Sequence, residues 1–137
     1  MFAYKRKARY HETDQMGVVH HSNYVKWMEE ARIEYMDAMG VSFKAVEKSG
    51  VISPIVGVSL EYKRPVAFDD EVEVRVFVKK YNGTVLELGY EFFDLTTGEV
   101  CTEASSRNCF VKDGRVASLK KAVPELDEKL RAELAKQ

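Results

Sequence analysis

Between Glu71 and Lys79 the chain alternates strictly. Val72, Val74, Val76 and Val78 fall on one face, and Glu71, Glu73, Arg75, Phe77 and Lys79 on the other, the period of two that marks a half-buried strand. Asn82-Gly83 comes next, a pair suited to the positive φ values of a tight hairpin turn. Leu86, Leu88, Tyr90 and Phe92 carry the alternation into a return strand. Thr96-Thr97-Gly98 makes a second turn, and a long strand is predicted from Glu99 to Val111. Residues 54–63 read as an earlier strand that Arg64-Pro65 ends, since proline cannot donate to a ladder, and residues 2–10 as a first one. From Tyr24 to Met39 the spacing changes to three and four: Tyr24, Trp27, Met28, Ala31, Tyr35 and Met39 form the apolar stripe of a helix. Ser22 or Asn23 can cap its start, and Gly40 suits the position just past its end. Shorter helices are expected over 42–49 and over 124–135, where Pro124 stands near the start and Leu126, Leu130 and Leu134 follow at helical spacing.

One strand, one long helix and four further strands joined largely by hairpins make an α+β chain, whose economical packing is a single sheet with the helix across it. No linker, repeat or low-complexity tract interrupts the pattern, so residues 1–137 are expected to form one domain, long enough for one core. A net charge of −1 argues against a dedicated nucleic-acid binder. No apolar run approaches the roughly 20 residues of a membrane span. Early charges at Lys5, Arg6 and Lys7, with no apolar stretch behind them, do not make a signal peptide. Cys101 and Cys109 lie eight apart in one predicted strand, on the order of 26 Å and beyond disulfide reach. Reduced thiols and a cytoplasmic location are the expectation.

The segment most informative about chemistry is Asp14-Gln15-Met16-Gly17-Val18-Val19-His20-His21-Ser22-Asn23-Tyr24. A loop holding a carboxylate and a glycine leads through two histidines into a helix start, whose first N–H groups have no intrahelical partners. A carboxylate, an imidazole and backbone donors together can attack or hydrate an activated acyl group and stabilise the oxyanion. Each residue has a plainer use as well: Asp14 as the acceptor of an Asx turn, His21 as a surface residue before a helix, Ser22 and Asn23 as caps. His11, Asp14, His20 and His21 fit no zinc spacing, so no metal site is expected.

This block resembles the active-site loop of hotdog-fold acyl-CoA thioesterases, in the 4-hydroxybenzoyl-CoA thioesterase and YbgC-like branch, as does Tyr62–Asp70 (YKRPVAFDD). The resemblance implies a hotdog fold: a curled antiparallel five-stranded sheet wrapped around one long central helix. It also implies subunits paired through their sheets, as a homodimer or homotetramer. Asp14 then takes the place of the catalytic carboxylate, as nucleophile or general base. His21 stands where the branch has a histidine, and the backbone N–H of Tyr24 where a donor polarises the thioester carbonyl. Gly17 and Val18 are further candidate substrate contacts, and Lys63 and Arg64 are candidates for the phosphates of coenzyme A. The place of His20 more often holds an aromatic residue. The implied reaction is hydrolysis of acyl-CoA to a free acid and CoA, with no cofactor. The alternatives are a thioesterase acting on acyl carrier protein and a non-catalytic acyl-CoA-binding domain. Another branch draws its carboxylate from the long helix, where Glu29 and Glu30 stand.

Overall fold

The computed structural model describes residues 1–137. In chain order the elements are β1 (Phe2–Lys7), α1 (Ser22–Met39), α2 (Phe43–Lys48), β2 (Val51–Ile52), β3 (Ile55–Tyr62), β4 (Glu71–Tyr81), β5 (Val85–Asp94), β6 (Glu99–Cys109), β7 (Val111–Lys112), β8 (Arg115–Val116), α3 (Leu119–Ala122) and α4 (Pro124–Ala135), with one 3₁₀ turn at Tyr10–Glu12. Five strands form an antiparallel sheet in the order β1-β4-β5-β6-β3, so β3 is an edge. The four valines of the alternating run are all buried to 1 % exposure or less. A small second sheet, β2-β7-β8, went unpredicted, because two-residue strands are too short to show a period. No helix is long and apolar enough to cross a membrane.

The chain divides into two compact units. The first comprises Met1–Tyr35, Leu60–Val76 and Tyr90–Ala104. Here β1 pairs antiparallel with β4, from Phe2 opposite Val76 to Lys7 opposite Glu71. The predicted first strand ran to residue 10, but β1 stops at Lys7. Ala8 bonds instead with Asp69 and Asp70 (both 2.9 Å), and the Glu12 carboxylate then accepts the Arg9 N–H at 2.8 Å, drawing the chain into its 3₁₀ turn. Five residues of the predicted stripe of α1 are buried, Tyr24, Trp27, Met28, Ala31 and Tyr35 at 3 % exposure or less, while Met39 at the helix end is half-buried. Phe92 of β5 meets it, its ring 5.5 Å from Tyr24 edge-on and 6.5 Å from Trp27 nearly parallel.

Asp94, at the end of β5, is buried in this unit. One of its oxygens accepts the N–H groups of Thr96 (2.9 Å) and Thr97 (3.3 Å), shaping the turn into β6. Burial and the neighbouring Asp70 carboxyl push its pKa up to about 6. The folded protein therefore keeps a proton that the unfolded chain has already lost. Stability falls as the pH rises from about 4 to about 6, and the penalty persists above that range. Asp94→Asn keeps an acceptor for Thr96 without the charge. It is expected to raise the melting temperature at about pH 7.5 and to leave it unchanged below about pH 3.5. An equal shift at both pH values would contradict this cause.

The second unit comprises Met36–Ser59, Phe77–Gly89 and Ser105–Gln137. Its hairpin loop uses Asn82 and Gly83 differently from the expected two-residue turn. Only Gly83 takes a positive φ, +98°, while the Asn82 side chain accepts the N–H groups of Thr84 and Val85 at 3.0 and 2.8 Å. The Phe77 ring covers the backbone at Gly89: a Cβ there would lie 2.3 Å from it, so any side chain requires the ring to move. The C-terminal helix is held by the buried pair Tyr81 and Asp127, with the exposed Arg131 over it. Tyr81 donates its hydroxyl proton to Asp127 at 2.5 Å, and Arg131 donates to the other Asp127 oxygen at 3.1 Å. Although burial opposes ionisation of Asp127, these donors keep its pKa below the ordinary carboxylate value.

Candidate active site

The loop between the 3₁₀ turn and α1 is a closed structure within the first unit. Thr13 bridges Val19, and Asp14 N–H bonds Val18 C=O at 2.9 Å. Gly17 closes the tip with φ +78° while its N–H bonds Asp14 C=O at 3.0 Å. Val18 bridges Ala67 and Val19 N–H bonds Val66 C=O at 2.8 Å, pinning the loop to the segment after β3. At the base, His20 N–H and the Asn23 side chain both donate to the Glu12 carbonyl, at 2.8 and 2.9 Å.

Asp14, Val18, His21, Tyr24, Lys63 and Arg64 line one cleft of about 320 Å³, together with Met16, Val19, Tyr62 and Pro65. Six of the seven proposed contacts therefore share a cavity. Gly17 does not line it; its part is the turn. Asp14 does make the Asx turn, since Oδ1 accepts Met16 N–H at 2.8 Å. That bond engages one oxygen only and leaves Oδ2 as an open acceptor. His21 is exposed, and its carbonyl accepts the Tyr62 hydroxyl at 3.3 Å. Tyr62 thus joins the end of β3 to the start of α1, a contact forty-one residues apart that no local pattern signals.

The helix start is capped by a residue the sequence did not mark for it. Ser22 is already helical, and the His20 ring accepts Ser22 N–H through Nδ1 at 3.2 Å, which gives His20 a structural use. Asn23 uses its amide on the Glu12 carbonyl. Tyr24 N–H is not vacant: it reaches the His21 carbonyl at 3.3 Å, a long bond. The Tyr24 ring is core, as expected, and burial pushes its hydroxyl far above the ordinary tyrosine pKa. Lys63 pairs with Glu103 at 3.2 Å and Arg64 with Glu99 at 2.8 Å; all four side chains are substantially exposed.

The helix carboxylates are placed otherwise. Glu30 accepts from Arg6 at 2.5 Å and from the Tyr4 hydroxyl at 3.2 Å. Glu29 stands exposed, 3.9 Å from Arg32. His11, Asp14, His20 and His21 do not converge as metal ligands. Both cysteines are free; Cys101 is buried, which pushes its thiol up to about 12 and keeps it protonated.

The profile of the Thioesterase-like superfamily matches residues 8–134. The chain is 35 % identical over 121 residues to Bacillus subtilis YneP, named as an acyl-CoA thioesterase, covering 87 % of each. It is 30 % identical over 86 residues to the acyl-CoA thioester hydrolase YbgC of Escherichia coli O6:H1, covering 63 % of this chain and 64 % of that one. The solved DHNA-CoA thioesterase of Staphylococcus aureus superposes with a TM-score of 0.92 at 32 % identity, over 97 % of this chain and 90 % of that one. A profile that runs from Ala8 to Leu134 and a fold shared with a solved thioesterase make this protein a member of the Thioesterase-like superfamily of hotdog-fold thioester hydrolases.

Proposed function

We propose that the protein hydrolyses acyl-CoA thioesters to a free acid and CoA in the Asp14 cleft. One observation carries the reading: Asp14, with one carboxylate oxygen unpartnered, lines a cleft together with His21, the start of α1 and the apolar residues Met16, Val18, Val19, Tyr62 and Pro65. The carboxylate either adds to the thioester carbonyl or takes a proton from the water that does. In the first route CoA thiolate leaves and a mixed anhydride forms, which water then opens. In the second, water adds directly and the thiolate leaves from the tetrahedral intermediate. In both, His21, which lines the same cleft, hands a proton to the thiolate. The Tyr24 N–H, whose bond to His21 C=O is long and weak, turns to the developing oxyanion.

Gly17 sets the turn that aims Asp14, and Val18 walls the acyl group. Lys63 and Arg64 meet the phosphates of CoA. Their present partners are exposed carboxylates worth about 0–1 kcal/mol each, which a phosphate can displace. The test is turnover of short, long and aromatic acyl-CoAs, followed by loss of thioester absorbance, beside the same acyl groups on a carrier protein. CoA esters are the expected substrates. Turnover of carrier esters alone would replace CoA in this reading, and no turnover of either would reject hydrolysis.

The active assembly is a homodimer or a pair of dimers joined through β3. This edge strand exposes Ile55, Val56, Val58 and Tyr62 at 43, 55, 44 and 48 %, and a long edge that is apolar apart from Glu61 near its end invites pairing with a second copy. Val56→Lys/Val58→Lys is expected to reduce the sedimenting mass to that of one chain. A wild type that already sediments as one chain, or a double variant with unchanged mass, would contradict the pairing.

A further inference from the structure

Glu12 stands two positions before Asp14 and is 4 % exposed. Its carboxylate accepts from Arg6 Nη2 on both oxygens at 2.7 and 2.8 Å. It also accepts the Arg9 N–H at 2.8 Å and the Trp27 Nε1–H at 2.7 Å. Its own carbonyl receives His20 N–H and the Asn23 amide. The side chain thus ties the loop to β1 and α1, and the backbone closes the base of the loop. Asp14 leaves that closure two residues after Glu12, and His21 one residue after His20. Arg6 is fixed in turn: its guanidinium lies 4.5 Å over the Trp27 ring and reaches Glu30 with Nη1.

A buried ion pair is a poor device for anchoring alone, because well-packed apolar residues often do as well or better. What it supplies is direction, through a carboxylate whose oxygens are both held at fixed angles. Burial opposes ionisation of Glu12, yet the Trp27 and Arg9 donors and the Arg6 charge hold its pKa below the ordinary value, so it is a carboxylate at neutral pH.

We infer that Glu12, held between Arg6 and Trp27, is a positioning residue that sets the angle at which Asp14 and His21 enter the cleft. The inference rests on the thioesterase reading of that cleft. Misplacing a reacting group by about 1 Å costs on the order of 100-fold in rate. Glu12→Gln is therefore expected to lower kcat by about 10- to 100-fold and to leave KM within about twofold. Trp27 is the single tryptophan, so its emission reports the altered contact in the same sample.

Arg6→Met/Glu12→Gln also removes the buried guanidinium, which Glu12→Gln leaves with the half-exposed Glu30 as its counter-charge. It is expected to recover melting temperature but not kcat. Recovery of both would reduce Glu12 to an anchor and overturn the inference. Should Glu12→Gln fail to fold, Trp27→Phe removes one bond to Glu12 while keeping a buried ring; it too should lower kcat with KM unchanged, and a wild-type kcat there overturns the inference. An inactive Asp14→Asn beside a fully active Glu12→Gln would reject the positioning role alone. A fully active Asp14→Asn would reject the reading of the cleft and this inference with it.

Discussion

Phe92→Ala should cost roughly 3–5 kcal/mol of stability, the range for emptying a fully buried aromatic site. Phe92 is at 0 % exposure, and its ring stands against both Tyr24 and Trp27 on the buried face of α1. Removing it takes away the apolar area and leaves a void bounded by two rings that are held elsewhere. Trp27 is bonded to Glu12, and Tyr24 is packed against Tyr62, with ring centroids 5.1 Å apart, so neither moves freely to fill the space. For a chain of this length the expected fall in melting temperature is on the order of 10–15 °C. Phe92→Leu refills most of the volume and should cost clearly less. Thermal and urea unfolding of both variants give the comparison. A loss under about 1 kcal/mol for Phe92→Ala would mean that the helix does not depend on this contact.

Patterns that one face of one element imposes were legible in the sequence. The valines of β4 alternate because one face of the strand is buried, and the stripe on α1 has helical spacing because one side of the helix is covered. The same logic located the Asp14 loop, since a glycine turn between a strand and a helix start is a local feature. Contacts between distant segments leave no period. Tyr81 with Asp127 and Tyr62 with His21 join residues about forty or more positions apart, and each looks like an ordinary polar or aromatic residue in its own segment. Glu12 was missed for the same reason: its partners are Arg6 and Trp27, on two different elements. The available signal was a glutamate just ahead of the Asp14 loop in a chain with one tryptophan, which is too little without the fold. His20 shows the reverse. It lay inside the informative block and serves as the helix cap, because its ring folds back onto Ser22 N–H.

Asp14→Asn should reduce acyl-CoA turnover by about 10²- to 10⁴-fold, the contribution of a positioned proton-transfer group. The substitution is well suited to the question. An asparagine side chain retains an oxygen to accept Met16 N–H, the bond that Asp14 Oδ1 makes now, so the loop keeps its turn. It removes the negative charge and the open acceptor oxygen on which both proposed routes depend. Melting temperature should stay within a degree or two of the wild type, since an exposed Asx bond is conserved and no buried charge is left unpaired. The decisive measurement is thioester absorbance loss with wild type and Asp14→Asn side by side, at equal folded concentration, on the best acyl-CoA of the panel. The account predicts rapid hydrolysis by the wild type and near-background hydrolysis by the folded variant. Equal rates in the two proteins would contradict it and remove Asp14 from the chemistry.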